Sequence, residues 1–129
     1  MKTAYDEILP YTTKDGSVVR ELMHPAVHGN QNQSLAEAVV LPGSTTVLHR
    51  HHQGEEIYHI TAGQGEMTLG KERFPVRPGD TVCILPGLWH RIRNTGQGPL
   101  KLLCCSTPPY AHEDTQLLQK EASSVPIPS

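Results

Sequence analysis

The stretch Gly43-Ser-Thr-Thr-Val-Leu-His49-Arg-His51-His-Gln-Gly-Glu-Glu56-Ile-Tyr58-His-Ile-Thr-Ala-Gly63 decides how the chain is read. Thr45 to His51 has strand character, and side chains alternate across a strand, so His49 and His51 project from one face and Arg50 from the other. Beyond a glycine-containing turn Glu56 opens the next strand, with Tyr58 on the same face and His59 pointing away. Two imidazoles and a carboxylate on neighbouring strands could converge on one point, a donor set that suits a first-row divalent metal. His90, at the start of another strand after Pro86-Gly87, could supply a third imidazole. Histidine is abundant, with 8 residues against 1 Trp, 4 Tyr and 1 Phe. His24, His28, His52, His59 and His112 have no such spacing and read as surface or structural.

Working outward, 129 residues make one domain. Glycine and proline, 11 of each, punctuate short runs with strand character. The runs are Ser17 to Met23, Leu35 to Leu41, Thr45 to His51, Glu56 to Thr61, Gly65 to Leu69, Glu72 to Val76, Thr81 to Leu85, His90 to Asn94 and Leu100 to Cys105. Short strands at this spacing, with no helical period before the tail, predict an all-β sandwich or barrel. Gly70-Lys71 fits a two-residue type II′ hairpin loop, which pairs Leu69 with Glu72 and Met67 with Phe74 on one face. Glu113 to Ala122 reads as a short terminal helix after Pro108-Pro109, and Ser123 to Ser129 as a loose tail. The organisation expected is an N-terminal strand and arm over 1–34, a barrel core over 35–106 and a C-terminal extension over 107–129.

The formal net charge of −2, from 11 basic and 13 acidic residues, argues against nucleic acid or an anionic membrane as partner. No apolar run approaches the roughly 18 residues of a membrane span. Asp6, Glu7, Pro10, Lys14 and Asp15 break up any secretory signal. Cys83 is isolated and Cys104 and Cys105 are adjacent, so no disulfide framework is expected; reduced thiols in the cytoplasm are the simplest reading.

The glycines around the histidines fit a larger pattern. Gly43, five residues, His49, one residue, His51, four residues, Glu56, six residues and Gly63 together resemble the first motif of the cupin superfamily at every defining position. The second motif is matched by Gly79, Gly87, His90 and Asn94. It departs only at Leu85, where the family has proline and where Pro86 follows directly. Chance agreement at nine of ten positions is well below one in roughly 10⁴ on average residue usage.

The resemblance implies a double-stranded β-helix, or jelly-roll barrel, with one divalent transition metal inside, held by His49, His51, Glu56 and His90. Mn, Fe, Ni, Zn and Cu all occur in such sites, and affinity order does not choose among them. One or two coordination positions would remain open for a small-molecule ligand or substrate. Ligand histidines must be neutral, so metal binding is expected to weaken steeply below about pH 6. The reaction is not fixed by the fold. A mononuclear enzyme (oxygenase, decarboxylase, lyase or isomerase) on a small polar or anionic molecule is the first expectation, and a non-catalytic small-ligand or sugar-binding protein the alternative.

Among other residues, Tyr58 shares the interior face with Glu56 and could donate to a substrate or act as acid or base. Met67, Phe74 and Trp89 read as packing, and Asn94 as fixing a turn. Arg91 and Arg93 read as outward, and Arg20 has no determinable facing. Cys104 or Cys105 reads as a buried inert thiol. Thr81 to Leu85 is apolar at both parities and needs cover on two faces; small cupins are commonly dimers, so a homodimer is expected.

Overall fold

The computed structural model describes residues 1–118. Eleven strands are present among them: β1 (Tyr11–Thr12), β2 (Val18–Met23), β3 (Ser34–Val40), β4 (His49–His51), β5 (Glu55–Ala62), β6 (Gly65–Leu69), β7 (Glu72–Val76), β8 (Thr81–Ile84), β9 (His90–Asn94), β10 (Leu100–Thr107) and β11 (Thr115–Leu117). They form two antiparallel sheets, ordered β1-β2-β3-β10-β5-β8 and β11-β4-β9-β6-β7. This is the jelly-roll barrel expected, with six of the nine neighbouring strand pairs not consecutive in the chain.

The alternating pattern is realised most clearly in β5, where Glu56, Tyr58 and Ile60 are buried and the residues between them exposed. Their side chains meet Met67, Val82, Ile84, Ile92, Leu100 and Leu102 in one core. The β6–β7 hairpin has the expected register, Leu69 opposite Glu72 and Met67 opposite Phe74. Gly70 takes φ +60° while no non-glycine residue has positive φ, as a type II′ turn requires. Asn94 ties the end of β9, with its amide donating to the carbonyls of Val40 and Gly98 and its oxygen accepting from Gly96 N–H.

Two expectations are corrected. No helix begins at Glu113: His112–Asp114 form a single 3₁₀ turn, and Thr115–Leu117 form β11, which pairs with β4. The apparent helical spacing is overridden because the edge of β4 offers unpaired backbone groups. The rest of that predicted helix, and the tail from Ser123, lie outside the described residues. Thr45 to His51 is not one strand; Thr45 bridges Arg93 alone and regular pairing starts at His49. Thr81 to Leu85 has the barrel core on its inner face, with Val82 and Ile84 buried, and leaves Cys83 and Leu85 exposed on the other, the face expected to meet a partner. A short helix, α1 (Pro25–His28), also joins β2 to β3, capped by the His24 side chain.

Candidate metal centre and its pocket

The two sheets bring four side chains to one place. His49 and His51 lie on the inward parity of β4, and His90 stands directly opposite His49 on β9. Glu56 reaches them from β5 in the facing sheet. One donor atom from each of His49, His51, Glu56 and His90 falls within 4.8 Å of all the others, and all four residues are buried.

Each imidazole is oriented from behind. The Nδ1–H of His49 donates to the Val47 carbonyl at 2.7 Å, and that of His90 to the Leu88 carbonyl at 2.9 Å. The Nδ1–H of His51 donates to Thr115 Oγ1 at 3.1 Å, and the threonine hydroxyl donates onward to the Ala111 carbonyl. With Nδ1 committed, every Nε2 lone pair points inward, the arrangement that metal-ligating histidines use. Glu56 is fixed in the same way: Oε2 accepts from Ser106 Oγ at 3.1 Å and from Cys104 Sγ at 3.2 Å, which leaves Oε1 turned to the histidines.

The inward atoms are unsatisfied. His51 Nε2, His90 Nε2 and Glu56 Oε1 are buried without a hydrogen-bond partner. The 3.0 Å approach of His51 Nε2 to Glu56 Oε1 lacks hydrogen-bond alignment, so proximity does not satisfy them. A buried orphan costs roughly 1–3 kcal/mol, and three around one point would be satisfied by a cation. The neutral-imidazole and carboxylate donors fit a divalent transition ion.

Titration behaviour follows from burial and neighbours. Burial, and then the charge of His90, push His49 down to about 4, so it is neutral at pH 7. Burial also opposes charging of His51, but the adjacent Glu56 carboxylate and the charges of Asp114 and Asp15 outweigh it and raise its pKa. Glu56 is held well below the usual carboxylate range: burial works against this, and His51 and His90 overcome it.

A cavity of about 50 Å³ adjoins the donors, walled among others by Tyr11, Asp15, Glu21, Tyr58, Cys104 and Tyr110. At roughly 10–15 Å³ per water it holds about three to five waters or a ligand of a few heavy atoms. Tyr58 lines it from the Glu56 face of β5, with its ring centroid 6.0 Å from that of His90. Burial keeps its hydroxyl protonated, well above 10. Met67 is fully buried in the core and is not a wall residue. Trp89 is buried under the Arg50 guanidinium, 4.7 Å above its ring. Arg20 turns away to the Ile8 carbonyl and Tyr5 hydroxyl, and Arg93 pairs with Glu66 at the surface. Cys104 faces inward and Cys105 outward toward Gln33.

Sequence reasoning missed four contributors. Asp15, in the turn between β1 and β2, sits with Oδ2 3.6 Å from His49 Nε2. Its signal was the Asp15-Gly16 turn pair, which says nothing of what the turn approaches. Tyr110 and Thr115 arrive on the returning C-terminal segment, and Ser106 ends β10; none has a local signature.

The fold and this donor set define the class: the chain belongs to the cupin family. A cupin-domain family model matches residues 36–106. Among relatives, the chain is 56% identical over 119 residues to an uncharacterized protein of Methanocaldococcus jannaschii, MJ1618, spanning 92% of this chain and 95% of that one. It is 33% identical over 84 residues to an oxalate-binding protein of Thermotoga maritima, 65% of each chain. In fold it is similar to the Streptomyces nucleoside dehydratase Pac13, with a TM-score of 0.75 over 92% of this chain and 91% of that one at 15% identity.

Proposed function

We propose that this cupin is a mononuclear metal-dependent enzyme acting on a small polar molecule. His49, His51, Glu56 and His90 would be the ligands and Tyr58 a hydrogen-bond donor to the substrate. The observation that carries the reading is the set of inward, partnerless donor atoms opening onto a small cavity. A bound divalent ion would supply Lewis acidity or dioxygen activation. Around it Cys104 and Ser106 hold Glu56, Thr115 holds His51, and Tyr58 offers a protonated hydroxyl in a water-poor pocket. Oxygenase, decarboxylase, lyase and isomerase chemistry all remain within this reading. The oxalate-binding relative favours a second one, a non-catalytic small-ligand protein using the same centre.

Turnover of candidate hydroxyacids, sugars and nucleosides, with and without dioxygen, separates the two. Tyr58→Phe is the informative variant. It should keep metal content and melting temperature while lowering turnover by roughly 10²-fold if the hydroxyl moves a proton. In a binding protein it should weaken ligand affinity by about 1 kcal/mol. Loss of metal from Tyr58→Phe, which keeps the ring, would show that the hydroxyl itself ligates the ion.

Metal affinity should fall with pH in a graded way rather than steeply. A metal ligand must be neutral, so a raised pKa at His51 brings proton competition as pH drops through a value above 6.5. His49, at about 4, takes no proton in that range. The dissociation constant for Zn²⁺ should therefore begin to rise as pH falls through that value, approaching about tenfold per pH unit, one proton's worth, below it. A constant that is flat from pH 7 to 5 would count against histidine ligation.

We also propose that the chain is a homodimer working in a reducing compartment. Leu35, Cys105, Ile57 and Cys83 are neighbours in register on β3, β10, β5 and β8, forming an apolar row on the outer face of the larger sheet. Ile57 is 44% exposed and Leu35 37%. A second copy would cover this row, and all three cysteines are free thiols. Light scattering should give about twice 14.2 kDa for the wild type. Ile57→Lys should shift it to the monomer, and a wild-type monomer at micromolar concentration would refute the interface. Among the described residues no helix is long and apolar enough to cross a membrane.

A further inference from the structure

Asp15 is not part of the four-ligand cluster, yet its carboxylate is aimed at it. Oδ1 is immobilised by the Thr13 hydroxyl, the Ser17 hydroxyl at 2.7 Å and the Ser17 N–H at 2.9 Å. Val47 N–H donates to the Asp15 carbonyl at 2.8 Å, and the Val47 carbonyl in turn receives His49 Nδ1–H, so aspartate and ligand histidine are held by one residue. Oδ2 has no donor; its near neighbour is His49 Nε2 at 3.6 Å, an atom whose lone pair is directed at the centre. The side chain is 15% exposed and borders the cavity. Glu21 lines the same cavity, and among the described residues no lysine or arginine does.

A fixed, negatively charged acceptor beside the donor cluster has a definite chemical consequence. It gains a hydrogen bond from an O–H or N–H of the ligand and is repelled by a further carboxylate in that position, with no cationic side chain to offset the repulsion. Sites built around an unpaired polar group discriminate strongly between partners that satisfy it and isosteres that do not. Granted the metal centre proposed above, we propose that Asp15 is the specificity-determining residue of the pocket. It selects small molecules that present a neutral O–H or N–H donor on the His49 side, and excludes dicarboxylates such as oxalate.

Oxalate and oxamate test this, because they share a shape and differ by one group, a carboxylate oxygen pair against an amide that donates N–H. Both are titrated calorimetrically into the Co²⁺-loaded full chain, and the ratio of their affinities is compared with that for free Co²⁺ in the same buffer. The wild type should shift the ratio toward oxamate by at least about tenfold. Asp15→Asn removes the charge and keeps the size; it should strengthen oxalate and weaken oxamate, returning the ratio to that of the free ion. A loss of packing would move both affinities in the same direction. If Asp15→Asn does not fold, Asp15→Ser, which keeps an acceptor for the Ser17 N–H, carries the same expectation. Co²⁺ bound with a ratio no different from the free ion's overturns the inference alone. So does a shifted ratio that the Asp15 variants leave unchanged. Failure of the wild type to bind Co²⁺ overturns the centre and the inference together.

Discussion

His51→Ala should leave the protein folded and without its metal. His51 supplies one of the four inward donors; its imidazole meets Glu56 and Thr115 and lies against the rings of His49, His90 and Tyr110, none of them part of the apolar core. Removing the ring eliminates a ligand and leaves Glu56 Oε1 facing one fewer imidazole. Partners that merely orient a ligand are worth 10–100-fold in metal affinity, so a ligand itself should cost well over about 10²-fold. Thr115→Val gives the graded comparison. It removes only the acceptor behind His51 Nδ1 and should weaken affinity by roughly 10–100-fold. Elemental analysis after dialysis and titration with Co²⁺ read both variants. Full metal retention in His51→Ala would refute the four-residue centre, and an unaffected Thr115→Val would show that β11 does not orient the ring.

Gly63→Ala should be the most destabilising single-methyl change in the chain. Gly63 has φ +82°, and a Cβ built on it would lie 2.5 Å from the Pro99 carbonyl oxygen and 2.8 Å from Leu100 Cα. Both neighbours are backbone, so neither can swing aside, and Leu100 is fully buried. Left-handed strain of roughly 1–3 kcal/mol and overpacking of about 1–3 kcal/mol act together. The melting temperature should drop by roughly 10 °C or more on the usual scale of several degrees per kcal/mol. Gly43→Ala is the control: φ is +79° there too, but nothing lies within 4 Å of the added carbon. It carries the strain alone and should lose only about half as much. Equal losses at the two sites would show that the contact with Pro99 is relieved at little cost.

These two glycines, with the histidines between them, illustrate what a single sequence makes legible. Strand parity places His49, His51, Glu56 and Tyr58 on inward faces from local alternation, because that period is imposed by the backbone itself. The β6–β7 register is equally local, set by a two-residue turn. What escaped were contacts made across long separations. Thr115 meets His51 over 64 positions and Ser106 meets Glu56 over 50. Asp15 reaches His49 from a turn whose sequence announces only a turn. The segment from Glu113 misled for a physical reason: its apolar spacing suited a helix, but an open strand edge supplied better hydrogen-bond partners. The outer face of β8, apolar by its sequence, is exposed within one chain and so stays open to the partner that its two-sided pattern predicts.

The arrangement of β1 and β11 has a consequence for how such proteins diversify. Both are edge strands, β1 beside β2 on one sheet and β11 beside β4 on the other. The stretch matched by the family model, 36–106, contains all four residues that could hold a metal, whereas Tyr11, Asp15, Tyr110 and Thr115 lie before or after it. An edge can be exchanged without repacking the strands behind it. Ligand preference can therefore drift by replacing terminal segments while the chemistry-bearing interior stays under unchanged selection. For the protein engineer this makes the N-terminal edge, not the barrel interior, the natural library: chimeras that graft β1 and its turn between relatives should transfer selectivity with the ion left in place, whereas a grafted β11 must keep the threonine behind His51.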